Sequence, residues 1–365
     1  MRSNKITWAV VTGVVVAALA GVGVAIAVNR GPDGSGVSPA LPGPAASAPV
    51  TEAAASPSPS PGADLTGPLD LLLAGVDTRI TEPGWEPHSD AIMLLHVEPG
   101  LRSAYLYSLP RDLRVRIPAY RKSGFPGGRH KLTEAMAYGS RLPGKKTKNI
   151  QNGYELLTRT ISDYTGIRTI QAGAILNFGG LDQLVDELGG IEITVDRKVR
   201  SRHRQPDGKL RELSGHDFTG PQAVYPPGRQ HMVGWQAIDY ARQRYGLPNG
   251  DYDRQLHQRQ MVKAILDKAL GEGLTDPARL QSVITALGQS LVTIGGRQPA
   301  DYAYALRDLT PADIVSVRLD GSGVGSGGGY LGEQLNAEAR GFLTSVASGK
   351  IAAYLKAHPE LVDRK

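Results

Sequence analysis

LDLLLAGVDTRITEPGWEPHSDAIMLLHVEPGLRSAYLYSL, residues Leu69 to Leu109, contains three apolar runs separated by turn-forming residues. LDLLLAGV (69–76), AIMLLHV (91–97) and SAYLYSL (103–109) are short and continuous, the pattern of buried strands. Polar residues sit where these runs stop. Asp77-Thr78-Arg79 follows the first strand, His88-Ser89-Asp90 precedes the second, and Pro110-Arg111-Asp112 follows the third. If the first two strands are antiparallel neighbours, Asp77 and Asp90 lie at one edge. Ligands of open α/β sheets gather at strand ends. Two carboxylates beside arginines suit a Mg²⁺ (or Mn²⁺) bridging phosphate oxygens. Each Asp alone fits a turn or helix cap as well.

Outward from this core, strands and helices alternate. Helical spacing covers 152–164, with Leu156, Leu157 and Ile161 on one face, and 181–188. Residues 169–175, 191–195 and 313–319 read as further strands; 277–291, 300–306 and 337–355 read as helical. The alternation predicts an α/β class: a mixed central β-sheet with helices on both faces. Lys131 precedes a predicted helix that Thr133 caps, a natural anion site. Residues 201–227 read as irregular, and 321–329 as a flexible glycine loop.

A second stretch carries the chemistry: GWQAIDYARQRYGLPNGDYDRQLHQRQMV, Gly234 to Val262. Arg242 and Arg244 are two apart, so they converge only if the chain extends or turns there. Gly246-Leu247-Pro248-Asn249-Gly250 supports a turn. A helix then begins near Asp253. Its apolar stripe through Met261, Val262, Ile265 and Leu266 traces back to Gln258 and Arg254 and turns both inward, while Arg259 points elsewhere. Clustered planar guanidiniums suit phosphate or pyrophosphate. A solvated charged face is the plainer alternative.

The 365 residues carry Lys+Arg 41 against Asp+Glu 35, a net +6, and no cysteine. The small positive excess fits anionic partners. Lack of cysteine excludes disulfides, thiolate metal sites and a Cys nucleophile. Ile6 to Val28 is uncharged and long enough to cross a bilayer. Arg2, Lys5 and the terminal amine precede it, so the expected arrangement is a single-pass cell-membrane anchor with a cytoplasmic N-terminus. Ala25-Ile26-Ala27 also resembles a signal cleavage site. The domains expected are a tail at 1–5, a transmembrane helix at 6–28, a Pro/Ala/Ser-rich disordered linker at 29–63 and an extracytoplasmic catalytic domain at 64–320. A glycine loop with a C-terminal helix or tail follows at 321–365.

The segments GVDTR, HSDAIMLLHVEP, YSLPRDLRVRIP, HKLTEA, NFGGLDQLVDELGGIEITV and AIDYARQRYGLPNGDYDRQLHQRQMV occur in this order. Together they resemble the LytR-CpsA-Psr family over roughly residues 69–319. The resemblance implies an α/β sandwich outside the membrane. It implies a phosphotransferase that moves a glycopolymer from a polyprenyl-pyrophosphate carrier to peptidoglycan with Mg²⁺, the lipid tail lying between sheet and helices. It implies metal ligands Asp77 and Asp90, and pyrophosphate contacts from Arg79, Arg111, Lys131, Arg242, Arg244, Arg254 and Gln258. Catalysis would rest on Arg111, Arg242 and Arg244, with Asp112 or Asp253 as the base. His88, Thr133 and His257 depart from the family's usual Arg, Asn and Arg. A pyrophosphatase using water at the same site is one alternative reading. A non-catalytic, membrane-tethered regulator that binds lipid-linked glycan is another. Nucleic acid is not an expected partner, because no basic run interleaves with aromatics.

Overall fold

Leu69, Leu71 and Leu73 turn to one side of β1 (Leu69–Val76), and Leu72, Ala74 and Val76 to the other. The same alternation holds in β2 (Ser89–Val97): Met93, Leu95 and Val97 face one way, Ile92 and Leu94 the other. Each strand therefore builds two cores at once, which is why both read as unbroken apolar runs. The structure, a computed structural model, describes residues 62–76, 85–271, 291–297, 299–326 and 329–363. The expected membrane span at 6–28, all but the last two residues of the linker at 29–63, Asp77, Arg79 and most of the helix expected at 277–291 lie outside these residues. No helix among the described residues is long and apolar enough to cross a membrane.

After β3 (Ala104–Ser108) the chain forms a hairpin of β4 (Arg114–Ile117) and β5 (Gly128–Lys131). Helices α1 (Thr133–Ser140) and α2 (Ile150–Thr165) follow, then β6 (Ala172–Asn177) and α3 (Phe178–Glu187). Three nested pairs come next. β7 (Ile191–Val195) pairs with β12 (Gly228–Met232). Inside it, β8 (Val199–Arg200) pairs with β11 (Val224–Tyr225), and β9 (Glu212–Ser214) with β10 (Asp217–Thr219). The stretch expected to be irregular is thus a small β-lobe. α4 (Gly234–Arg242) and α5 (Asp251–Gly271) carry the arginine-rich stretch. β13 (Leu291–Gly295), α6 (Pro299–Ala305) and β14 (Ile314–Val317) lead to α7 (Ala337–Ala347) and α8 (Ile351–Ala357). The expected glycine loop is largely a hairpin, because β15 (Gly321–Ser326) pairs with β16 (Gly329–Leu335).

The central sheet has the order β13-β6-β1-β2-β3-β14. β1 is parallel to β6 and antiparallel to β2, so the sheet is mixed. Residues of α3, α4 and α5 pack on the Leu71/Leu73 face, and residues of α1, α2 and α7 on the Leu72/Ala74 face. The expected α/β arrangement, helices on both sides of a mixed sheet, is what the chain forms.

The second face is closely fitted at β6. A Cβ on Gly173 would overlap the Tyr154 hydroxyl and the Leu72 carbonyl oxygen. Tyr154 donates to that carbonyl at 3.2 Å, so neither neighbour is free to retreat. Gly173→Ala is expected to cost about 1–3 kcal/mol through overpacking. A denaturation midpoint equal to the parent's would show that the strand and α2 are separable.

Candidate active site

The site begins with an irregularity in the sheet. Pairing runs from Gly75↔Ala91 to Val76↔Ser89, so Asp90 is an extra residue in a β-bulge. Bulges re-aim a side chain and end regular pairing. Arg111 Nη1 donates to Asp90 Oδ1 at 2.6 Å. The Arg111 carbonyl accepts from Thr133 N–H at 2.8 Å, tying the loop after β3 to the start of α1. Arg111 Nε is buried without a hydrogen-bond partner, 3.9 Å from Asp251 Oδ1.

Asp251 opens α5 and joins the two halves of the site. Arg254 Nε donates to its Oδ1 at 2.9 Å, and Arg254 Nη2 lies at the same distance. Burial alone would raise the Asp251 carboxyl. The charge and hydrogen bond of Arg254 and the charge of Arg111 outweigh it and hold the group below its ordinary value. A depressed carboxylate stabilises the fold fully above its unfolded pKa of about 3.9, and loses that contribution as pH falls through the folded value. Asp251→Asn is therefore expected to flatten the fall in Tm below about pH 4. An acid limb as steep as the parent's would place the sensitive carboxylates elsewhere.

Arg242 is the last residue of α4. Gln243 is extended (φ −67, ψ 134) and buried, its amide donating to Asp239 O and Oδ1 at 2.9 Å. The helix thus stops between Arg242 and Arg244, which is the condition for the two side chains to converge. Arg244 Nη2 donates to the Tyr245 hydroxyl at 2.9 Å.

One turn beyond Arg254, Gln258 is 3% exposed. Neither its Nε2 nor its Oε1 has a hydrogen-bond partner. It lines a narrow apolar cleft between α4, α5 and the sheet, with Gly75, Ala91, Met93, Ile238 and Arg242. The seam continues past Leu73, Met93 and Val262 to Leu95, Leu106 and Leu266. One end is therefore cationic and the remainder hydrocarbon. On the other flank, Lys131 Nζ lies 3.4 Å from Asp112 Oδ1 and 4.7 Å from the Tyr330 ring centroid.

Of the residues expected from sequence, Asp90, Arg111, Arg254 and Gln258 meet around the bulge and the start of α5, and Arg242 shares the cleft with Gln258. Lys131 and Asp112 flank them. Asp77 and Arg79 lie outside the described residues. Lys131 ends β5, where it pairs with Arg114, and stands just before α1 as expected, its N–H donating to Glu134 Oε2 at 2.9 Å. Several expectations need correction. The Thr133 hydroxyl makes no cap; it is buried without a partner. Asp253, a candidate base, accepts from Asn249 N and Nδ2 at 3.0 Å and is 5% exposed; it pins the turn before α5. His257 is fully buried, stacked on Tyr240 at 4.2 Å with Nε2 3.5 Å from Asp196 Oδ1. At this departure from the family's usual Arg the side chain packs into the core. His88 is held by its own loop, Nδ1 lying 2.9 Å from Glu86 O. Asp251 was the residue missed. Its signal was present: an acid opening the helix, three positions before Arg254.

A hard divalent ion takes carboxylate oxygens. Asp90 fits that donor type, since Arg111 engages only its Oδ1. Among the described residues no three Asp, Glu or His side chains are grouped to hold a metal.

An α/β sandwich with a bulged acid, a clustered set of arginines and an apolar seam defines a class. The chain matches the LytR_cpsA_psr family over residues 45–340 and belongs to it. It is 30% identical over 285 residues to the cell wall biosynthesis protein LcpA of Corynebacterium glutamicum, covering 70% of this chain and 52% of that one. It is 30% identical over 253 residues to the polyisoprenyl-teichoic acid–peptidoglycan teichoic acid transferase TagU of Enterococcus faecalis, covering 69% and 65%. The chain thus spans about half to two thirds of these relatives' lengths. Protein gbs0355 of Streptococcus agalactiae has a similar structure, with TM-score 0.57, 25% identity and coverage of 79% of this chain and 88% of that one.

Proposed function

We propose that the protein transfers a glycopolymer from a polyprenyl-pyrophosphate carrier to peptidoglycan. The observation that carries this is Gln258, an unpartnered buried amide where a cationic cluster opens into an apolar seam. A buried amide without partners costs about 1–3 kcal/mol. A ligand with an anionic head and a hydrocarbon tail relieves that cost and fits both ends of the site. The TagU relative is named as a polyisoprenyl-teichoic acid–peptidoglycan teichoic acid transferase, which accords with such a substrate.

In this reading a sugar hydroxyl of the acceptor attacks the phosphorus that bears the glycan. The phosphoanhydride bond breaks, polyprenyl phosphate leaves, and the hydroxyl proton passes to a base. Asp112 takes the role of base, because Asp253 is committed to its turn. Charge develops on the departing phosphate and the equatorial oxygens. Arg111, Arg242, Arg244 and Arg254 are placed to neutralise it. A bound Mg²⁺, held by Asp90 with Asp77, would add charge neutralisation at phosphate oxygens.

The direct test incubates the protein with a lipid-linked glycan and peptidoglycan fragments, with and without Mg²⁺, and weighs the products. A glycan joined to the fragment supports transfer; only free glycan phosphate would mean that water is the acceptor. Gln258→Met adds a stability arm. Removing an unsatisfied buried amide is expected to raise Tm by a few degrees while turnover falls. A loss of both would mean that the amide is satisfied within the fold.

A further inference from the structure

The β8–β11 lobe reaches the site through one side chain. Arg202, just after β8, places its Cζ 4.2 Å from the Tyr245 ring centroid, and Arg244 places its own 4.9 Å from the same centroid. Both are within cation–π range. Tyr245 is 53% exposed, and the two arginines on it are half-buried. Two like charges on one ring repel. Among the described residues, the acid in contact with this pair is Asp217, 3.3 Å from Arg202 Nη2, and its side chain is 90% exposed. Water screens such an acid well.

The placement of Arg202 is built in. Its N–H donates to Gln243 Oε1 at 3.0 Å, which joins it to the residue between Arg242 and Arg244. Its carbonyl accepts from Arg211 Nη1 at 2.7 Å, and Arg211 Nη2 donates to Phe218 O at 2.8 Å. The lobe therefore fixes the backbone at Arg202, while its guanidinium is held by two long contacts of 3.3 Å from Nη2, to His216 O and Asp217 Oδ1, which a better anion can replace. The hydrogen bond from Arg244 also draws the Tyr245 phenol below its ordinary pKa, with Arg202 and Arg111 adding to the effect. Positive potential thus converges on this ring from three sides.

We propose that Arg202 and Tyr245 extend the phosphate site: the lobe supplies a further guanidinium to an oxygen of the pyrophosphate group held by Arg244, and the tyrosine sets the two guanidiniums side by side. This rests on the pyrophosphate reading above, and it assigns the 199–225 lobe a part in ligand binding. Neutralisation by the ligand removes the repulsion that the ring otherwise imposes.

The probe is inorganic pyrophosphate, titrated calorimetrically into the full chain in detergent at low salt. Arg202→Ala and Tyr245→Ala are each expected to weaken binding about ten-fold, the scale of one charge-assisted contact. Tyr245→Phe keeps the stack and loses only the bond to Arg244, so it is expected to lose less. Arg229→Ala removes a positive charge paired with Glu192 on the far strand of the lobe, and is expected to change nothing. If the parent binds pyrophosphate and both Arg202→Ala and Tyr245→Ala match Arg229→Ala, this proposal is overturned and the main site stands. If the parent does not bind pyrophosphate, the functional reading falls with it. Should Arg202→Ala fold poorly, Tyr245→Ala and Arg202→Lys decide, the latter because a point charge cannot reproduce a guanidinium fork.

Discussion

Arg254→Ala is expected to lower turnover by about 10²–10³, the scale of one lost charge-stabilising donor at a transition state. Arg254 is 5% exposed, and its guanidinium is aimed by two contacts to Asp251. It needs no reorganisation when charge appears on a departing phosphate, so its whole contribution falls on the barrier. Removing it also leaves Asp251 with Arg111 at 3.9 Å as its closest remaining cation, so some stability is lost as well. Arg254→Lys separates the two effects. The charge beside Asp251 is kept, so Tm is expected to stay near the parent's. The fork is lost, so turnover remains poor. Parent-like turnover in Arg254→Lys would mean that the residue only balances Asp251.

The largest stability effect lies one turn away on the same helix. Sequence spacing turns Arg259 off the site face, which suggests a tolerant position. The structure buries it. Arg259 is 1% exposed; its Nε and Nη2 donate to Asp363 at 2.8 and 3.1 Å, and its Nη1 donates to Ser108 Oγ at 3.3 Å. Asp363 N–H in turn donates to Ser316 O, and Arg318 N–H to Leu361 O, so the chain near 361–363 is laced to β14. Asp363→Ala leaves a buried guanidinium without its counter-charge. The expected cost is about 3–5 kcal/mol, a fall in Tm on the order of 10 °C. Arg259→Met, which removes the charge and keeps the volume, is expected to cost less in the Asp363→Ala background than in the parent. An Asp363→Ala protein that melts with the parent would show that the pair is dispensable.

Much of this was legible in the chain. Short continuous apolar runs bounded by turn residues read as strands covered on both faces, and three of them gave β1, β2 and β3. The inward aim of Arg254 and Gln258 followed from helical periodicity alone, since both share a stripe with Met261 and Val262. The break between Arg242 and Arg244 followed from their spacing and the turn beyond. The nested lobe over 199–225 and the β15–β16 hairpin were not legible. Strands of two or three residues, or strands rich in Gly, bury too few side chains, such as Val199, Tyr225 and Leu335, to leave a periodic signal.

Sequence by itself determined where the three central strands run and which stripe of α5 faces inward, because these depend on local periodicity. Only the tertiary structure decided what each charge meets. It put Asp90 in a bulge against Arg111, made Asp251 the link to Arg254, turned Asp253 to its turn and His257 into the core, and matched Arg259 with a residue 104 positions away. The reason is physical. A side chain's pairing is set by distances of a few ångströms between elements far apart in the chain, and Coulomb and desolvation terms change steeply over those distances.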